Sequence, residues 1–177
     1  KTGDETIDEQ DLLGEDFLVG RWRRRILQQS YFGAIYTGRA TRELPMRQTL
    51  GADVRLATAA FRGNKNLEFT GHWVANTTPD TSGDSAAWGL RLDYPNDIWV
   101  TSLSVGAVQK NYDPAIGFTP RSDYRRYNPE FRWNPRPYNH PVVRRFSFGA
   151  EPFFLTDMQN RMESAGGNIQ LFRMEMH

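Results

Sequence analysis

A two-residue period in side-chain character constrains this chain more than any other feature. In 67–76, Leu67, Phe69, Gly71, Trp73 and Ala75 occupy one parity, and Glu68, Thr70, His72, Val74 and Asn76 the other. A segment sorted in this way is a β-strand with one apolar and one polar face. The sorting returns in 50–60, where Leu50, Ala52, Val54 and Leu56 oppose Asp53 and Arg55. It returns again in 86–94, where Ala86, Trp88, Leu90, Leu92 and Tyr94 oppose Arg91 and Asp93. Strands this long, with aromatics near their ends and charges on the opposite face, suit a transmembrane β-barrel, whose spans need about 9–11 residues each.

Composition is compatible with that architecture without selecting it. The 177 residues are 38% hydrophobic with a formal net charge of +1. Barrel strands present only half their residues to lipid, so a negative mean hydropathy does not exclude a membrane. No apolar run approaches the roughly 20 residues of a transmembrane helix. The start, Lys1-Thr2-Gly3-Asp4, lacks the apolar core of a signal peptide, so a mature, truncated or internal chain is expected. The absence of cysteine removes disulfides and thiolate chemistry, in keeping with an envelope protein.

Along the chain, residues 1–16 form an acidic lead-in (Asp4, Glu5, Asp8, Glu9, Asp11, Glu15, Asp16), and 17–177 read as one antiparallel β region. Strands are predicted at about 17–27, 31–39, 48–62, 67–76, 86–94, 98–108, 124–133, 142–151 and 169–176. Glu43-Leu44-Pro45-Met46 is expected to be a connection, because proline cannot donate to a ladder. Gly63-Asn64-Lys65-Asn66 and Tyr94-Pro95-Asn96-Asp97 have turn chemistry, 77–84 is a longer loop, and 134–141 a proline-rich excursion. Nothing shows a helical period. The predicted class is all-β, an up-and-down antiparallel outer-membrane β-barrel or a segment of one. Bacterial single-chain barrels have even strand numbers, so nine suggests missing strands.

Two residue sets follow from the parity. Arg21, Arg23, Arg25, Asp53, Arg55, Glu68, Arg91, Asp93, Arg121, Asp123 and Arg125 are candidate interior charges. Arg121, Asp123, Arg125 and Arg126 are expected to form one charged ladder. Such charges either pair with one another to fill the interior or guide an anionic ligand, since Arg-lined pores favour anions. Trp22, Trp73, Trp88 and Trp99 fall on the apolar parity. They suit aromatic girdles at the bilayer interfaces, the core of a soluble sandwich, or a sugar-stacking platform. Arg24 falls on the apolar side, where it can snorkel at an interface.

The stretch Asn111-Tyr112-Asp113-Pro114-Ala115-Ile116-Gly117-Phe118-Thr119-Pro120-Arg121-Ser122-Asp123-Tyr124-Arg125-Arg126-Tyr127 resembles a family of bacterial outer-membrane proteins of unassigned function. The N-terminal part of these proteins looks like a family-nine carbohydrate-binding module. Gly20-Arg21-Trp22-Arg23-Arg24, Ser30-Tyr31-Phe32-Gly33-Ala34 and Gly51-Ala52-Asp53 follow the family's order at the start of its barrel. The resemblance covers nearly the whole chain. It implies an internal piece of the barrel region in a Gram-negative outer membrane, with the lipid bilayer as partner. It also implies a carbohydrate-binding module on the same parent polypeptide, and through it carbohydrate. It implies a place and an architecture, not a reaction. The resemblance marks Asn111, Asp113, Pro114, Gly117, Phe118 and Arg121 as its turn motif, which reads physically as a turn-forming knot. Asp113-Pro114 fixes a bend, Gly117 permits a positive φ and Phe118 can anchor the loop.

No catalytic constellation emerges. The histidines, His72, His140 and His177, are far apart, and neither zinc spacing nor a phosphate loop is present. Ser102-Leu103-Ser104-Val105-Gly106 lacks the first glycine of a nucleophile elbow. Glu68 and Asp53 could face one another, yet both have arginines near enough to make ion pairs the better account. Asp80, Asp84 and Asn76 lack the spacing of a calcium loop. No enzyme, cofactor, metal or nucleic-acid partner is expected. The leading expectation is an outer-membrane barrel segment with an anchoring or solute-passage role. The alternative is a soluble β-sandwich or lipocalin-like module, periplasmic or secreted, that binds a glycan or small apolar ligand.

Overall fold

A computed structural model describes residues 14–41, 44–77 and 83–176. The acidic residues of 1–13 and Asp80 lie outside the described residues. Nine strands make one antiparallel sheet in sequence order, with no helix among the described residues. They are β1 (Glu15–Leu27), β2 (Ser30–Thr41), β3 (Leu44–Phe61), β4 (Lys65–Asn76), β5 (Ala86–Pro95), β6 (Trp99–Val108), β7 (Tyr124–Trp133), β8 (Val143–Thr156) and β9 (Met162–Met176). Each hairpin sets the next register, and the register carries parity from strand to strand. One row of Cα partners runs Arg23, Gly33, Asp53, His72, Gly89, Gly106, Arg126 and Leu155. The adjacent row on the other face runs Trp22, Ala34, Ala52, Trp73, Trp88, Ala107, Arg125 and Thr156. The sheet therefore has a charged face and an apolar face.

Three expected boundaries are corrected. The connection predicted at 43–46 is largely strand, because β3 begins at Leu44. Pro45 is accommodated where the register shifts between the Arg39↔Arg47 and Thr41↔Leu44 pairs, so its missing N–H costs no ladder bond. The strands predicted at 142–151 and 169–176 are longer, reaching Thr156 and starting at Met162. Pro152 and Gly166-Gly167 break the apolar-polar alternation there, yet they sit opposite one another, with Pro152 paired to Gly167 and Phe153 to Gly166. Pro129 has a similar local effect, since β7 pairs with β8 at Arg125–Tyr127 and Phe131–Trp133 but not between.

No described strand packs on the face of another; the backbones that approach one another between strands are all those of sheet neighbours. The buried apolar residues among those described are Ala87, Ala107, Ala115 and Val143, all small. Larger apolar side chains stay open, including Trp73 at 48%, Leu90 at 43%, Trp99 at 43% and Leu103 at 53% exposure. The sheet is not closed: neither β1 nor β9 has a partner on its outer edge among the described residues.

Candidate functional site: the charged face and its strapped loop

On the charged face, ion pairs link neighbouring strands and, in one place, span three. Arg21 of β1 reaches across β2 to Asp53 of β3, with Nη1 2.6 Å from Oδ1. Gly33 makes that reach possible. A Cβ there would stand 2.6 Å from Arg21 Nη2 and 2.7 Å from Asp53 Oδ1. Arg55 donates through Nε and Nη2 to both oxygens of Glu68, at 2.6 and 2.8 Å. Arg91 Nε lies 2.8 Å from Asp93 Oδ2, and Arg132 Nη2 sits between Glu130 at 3.3 Å and Glu151 at 2.9 Å. These pairs are partly open to solvent, so each contributes little to stability. Their main effect is to hold side chains in place over a wetted wall.

Several cations of the same face have no carboxylate partner among the described residues. Arg23 lies over the Tyr31 ring, 3.5 Å from its centroid. Arg126 donates through Nε to Asn128 Oδ1 at 2.9 Å and lies 5.6 Å from the Phe153 centroid. Arg125, one position earlier, is on the opposite face, where its Nη1 meets Asn160 Oδ1 at 2.7 Å. Arg121 and Asp123 precede β7 altogether, and Arg121 pairs with Glu163 of β9. The ladder expected from Arg121, Asp123, Arg125 and Arg126 is thus dispersed. Strand alternation puts consecutive arginines on opposite faces, and the loop carries the first two away.

The connection 109–123 turns back over the charged face and is fastened to distant strands. Asn111 donates its backbone N–H to the Asp84 carbonyl at 2.8 Å. The Asp113 N–H meets Asn76 Oδ1 at 3.0 Å, and the Asp113 carboxylate pairs with Arg47 of β3. The Ala115 N–H donates to Thr49 Oγ1 at 2.8 Å, and Ala115 is only 1% exposed. The turn motif is therefore a strap from β6 to β3. Gly117 sits at φ 108°, in the region that favours glycine. Phe118 is 86% exposed and does not anchor the loop among the described residues. Burial raises the Tyr112 phenol above its ordinary pKa. At the β8–β9 turn, the backbone N–H of Arg161 holds the Asp157 carboxyl below its usual range, helped by the Arg161 side chain and the Gln159 N–H.

The apolar face carries two groups of aromatics. Near the β5–β6 and β7–β8 turns, Trp99 stacks on Trp133 at 5.7 Å and Trp133 on Phe148 at 5.5 Å, with Phe172 6.0 Å beyond. Toward the other end, Trp73 and Trp88 are cross-strand partners, and Trp88 pairs with Ala107. The eight residues from Trp99 to Ala107, at about 3.3 Å each, separate the groups by about 26 Å along the strand. Leu90, Leu92, Leu103 and Val105 lie between. Trp22 packs edge-on against Phe32 at 6.2 Å on the same face.

Sequence reasoning did not identify Arg47, Thr49 or Asn76 as holders of the loop, nor the Glu130–Arg132–Glu151 cluster. The polar parity marks these side chains as sharing a face, but their partners depend on registers several strands away. No family model, curated protein or solved structure matches the chain.

Proposed function

We propose that this chain is a segment of an outer-membrane β-barrel in a Gram-negative envelope, with an anchoring or solute-passage role. In this role the charged face lines an interior and the apolar face meets lipid. The observation that carries the proposal is the uncovered apolar face. A soluble protein buries leucine and tryptophan at this density, whereas here Trp73, Leu90, Trp99 and Leu103 are all about half exposed. The roughly 26 Å between the two aromatic groups matches the apolar band of about 25 Å on barrel walls. The resemblance of 111–127 to a family of outer-membrane proteins points the same way. It adds a carbohydrate-binding module on the parent polypeptide, and carbohydrate as an associated ligand.

Far-UV circular dichroism and sedimentation, with and without a mild detergent, test the proposal. A β-rich species in micelles and aggregation in plain buffer are the expected results. A folded monomer in plain buffer overturns it, and a soluble sandwich or lipocalin-like module, screened against glycans, takes its place.

A further inference from the structure

We propose that the hollow over β4–β7 on the charged face binds a small anion, the carboxylate or phosphate group of a solute moving along that wall. The proposal rests on the charged face being an interior wall and names what that wall selects. Its floor is made by two glycines that are Cα partners, Gly89 of β5 and Gly106 of β6. In the same row, His72 flanks Gly89 and Arg126 flanks Gly106. The His72 ring lies over Gly89, where an added Cβ would stand 2.5 Å from Cε1. The cavity is about 540 Å³, within the usual range for small-ligand sites.

The composition of the lining sets the sign of the ligand. Arg91 and Arg126 are joined by His72 and by neutral hydrogen-bonding side chains such as Ser104 and Asn128, and no carboxylate among the described residues lines the hollow. Two other cavities on this face differ. One of about 490 Å³ includes Asp97 and Glu175, and one of about 290 Å³ includes Glu130 and Glu151. Arg91 is steadied by Asp93 through Nε. Arg126 is steadied by Asn128 through Nε, leaving its two terminal nitrogens without a partner among the described residues. Guanidinium groups with free terminal N–H pairs bind carboxylate and phosphate oxygens two at a time. The strapped loop 109–123 leaves β6 after Val108 and enters β7 at Tyr124, both of which line the hollow. The site therefore lies just inside that loop.

The test is nuclear magnetic resonance on isotopically labelled protein, in whichever medium it folds, titrated at constant ionic strength with inorganic phosphate and separately with glucuronate. Saturable shifts at the His72 ring and at the Gly89 and Gly106 amides are expected with at least one of the two, and the one that saturates identifies the anionic group. Arg126→Gln should weaken binding about tenfold, the effect of one charge-assisted hydrogen bond. Arg126→Lys should recover part of the loss, and Arg24→Gln on the apolar face should change nothing. Absence of saturation with both anions, or equal affinity in Arg126→Gln, overturns the site. The result separates from that of the detergent experiment. A micellar β-protein without these shifts loses the anion site alone, and a monomer in plain buffer that shows them loses the membrane alone.

Discussion

Replacing Leu103 by arginine separates a lipid-facing sheet from a water-facing one. Leu103 lies on the apolar face, four residues from Trp99 in one direction and four from Ala107, the partner of Trp88, in the other. That places it about 13 Å along the strand from either aromatic group, at the middle of the apolar band. An arginine at the bilayer midplane of a barrel wall costs about 2–4 kcal/mol. Were the same face in water, the 53% exposure of Leu103 would let arginine in at a cost within about 0.5 kcal/mol. Leu103→Ala is the control, since it removes the same apolar contact without adding charge. The assay is denaturant unfolding in phospholipid vesicles followed by tryptophan fluorescence, with the slope checked for constancy. Leu103→Arg should fall about 2–4 kcal/mol below Leu103→Ala, and Thr101→Arg, two residues nearer the Trp99 group, should lose about 1 kcal/mol. If Leu103→Arg is as stable as Leu103→Ala, that face does not meet lipid.

Three further outcomes follow from the same geometry. Thr49→Val deprives the buried Ala115 N–H of its acceptor, and a loss of about 1–3 kcal/mol of local stability should speed its hydrogen exchange by about fivefold or more; unchanged exchange would show that the strap does not depend on Thr49. Gly51→Val places a Cβ 2.6 Å from Val74 Cγ1 and 2.8 Å from Ile35 Cγ2, so overpacking should lower the denaturant midpoint by the equivalent of about 1–3 kcal/mol, and an unchanged midpoint refutes that crowding. The Asp157 carboxyl is depressed in the folded state, so its contribution to the β8–β9 turn is present above the unfolded value of about 4 and is lost as pH falls through the lower folded value. Exchange of the Gln159 and Arg161 amides should rise in that acidic window, and Asp157→Asn should flatten the dependence; a pH-independent turn contradicts it.

The strands that could be read from the sequence are those where one face is consistently apolar. β4 and β5 keep one parity apolar through Leu67, Phe69 and Trp73 and through Trp88, Leu90 and Leu92, and that parity could be assigned from the residues alone although Val74 and Ala87 fall on the other. The residue pattern stops short of the full β8 and β9 because Pro152 and Gly166-Gly167 erase it at positions that the ladder still pairs. The site was less legible because its contacts skip strands. The partnership of Arg21 with Asp53 requires two registers and the missing side chain of Gly33. Ala115 meets Thr49 at a separation of 66 residues, and nothing local to the turn motif names that partner. Assigning Arg125 and Arg126 to one ladder failed for a simpler reason, since a strand cannot present two consecutive side chains to the same face.

The open edges set a condition on any barrel built from this sheet. β1 and β9 are both odd members of an up-and-down order, so they run in the same direction. Joining them directly would make a parallel pair, whereas an all-antiparallel closure needs an odd number of further strands between them. Both edges lack two of the devices by which exposed sheets discourage pairing, although β1 is charged and register shifts interrupt the β1–β2 and β8–β9 ladders. β1 and β9 contain no proline or lysine, and at 13 and 15 residues they are long. Both also keep part of the two-face pattern. Arg21, Arg23 and Arg25 lie opposite to Leu18, Trp22 and Ile26, while Asn168 and Gln170 of β9 lie opposite to Ile169. In hydrocarbon each unpaired backbone group costs several kcal/mol, so edges of this length cannot face lipid unpaired. If the sheet lies in a bilayer as proposed, a barrel that contains it must supply the strands that cover both edges.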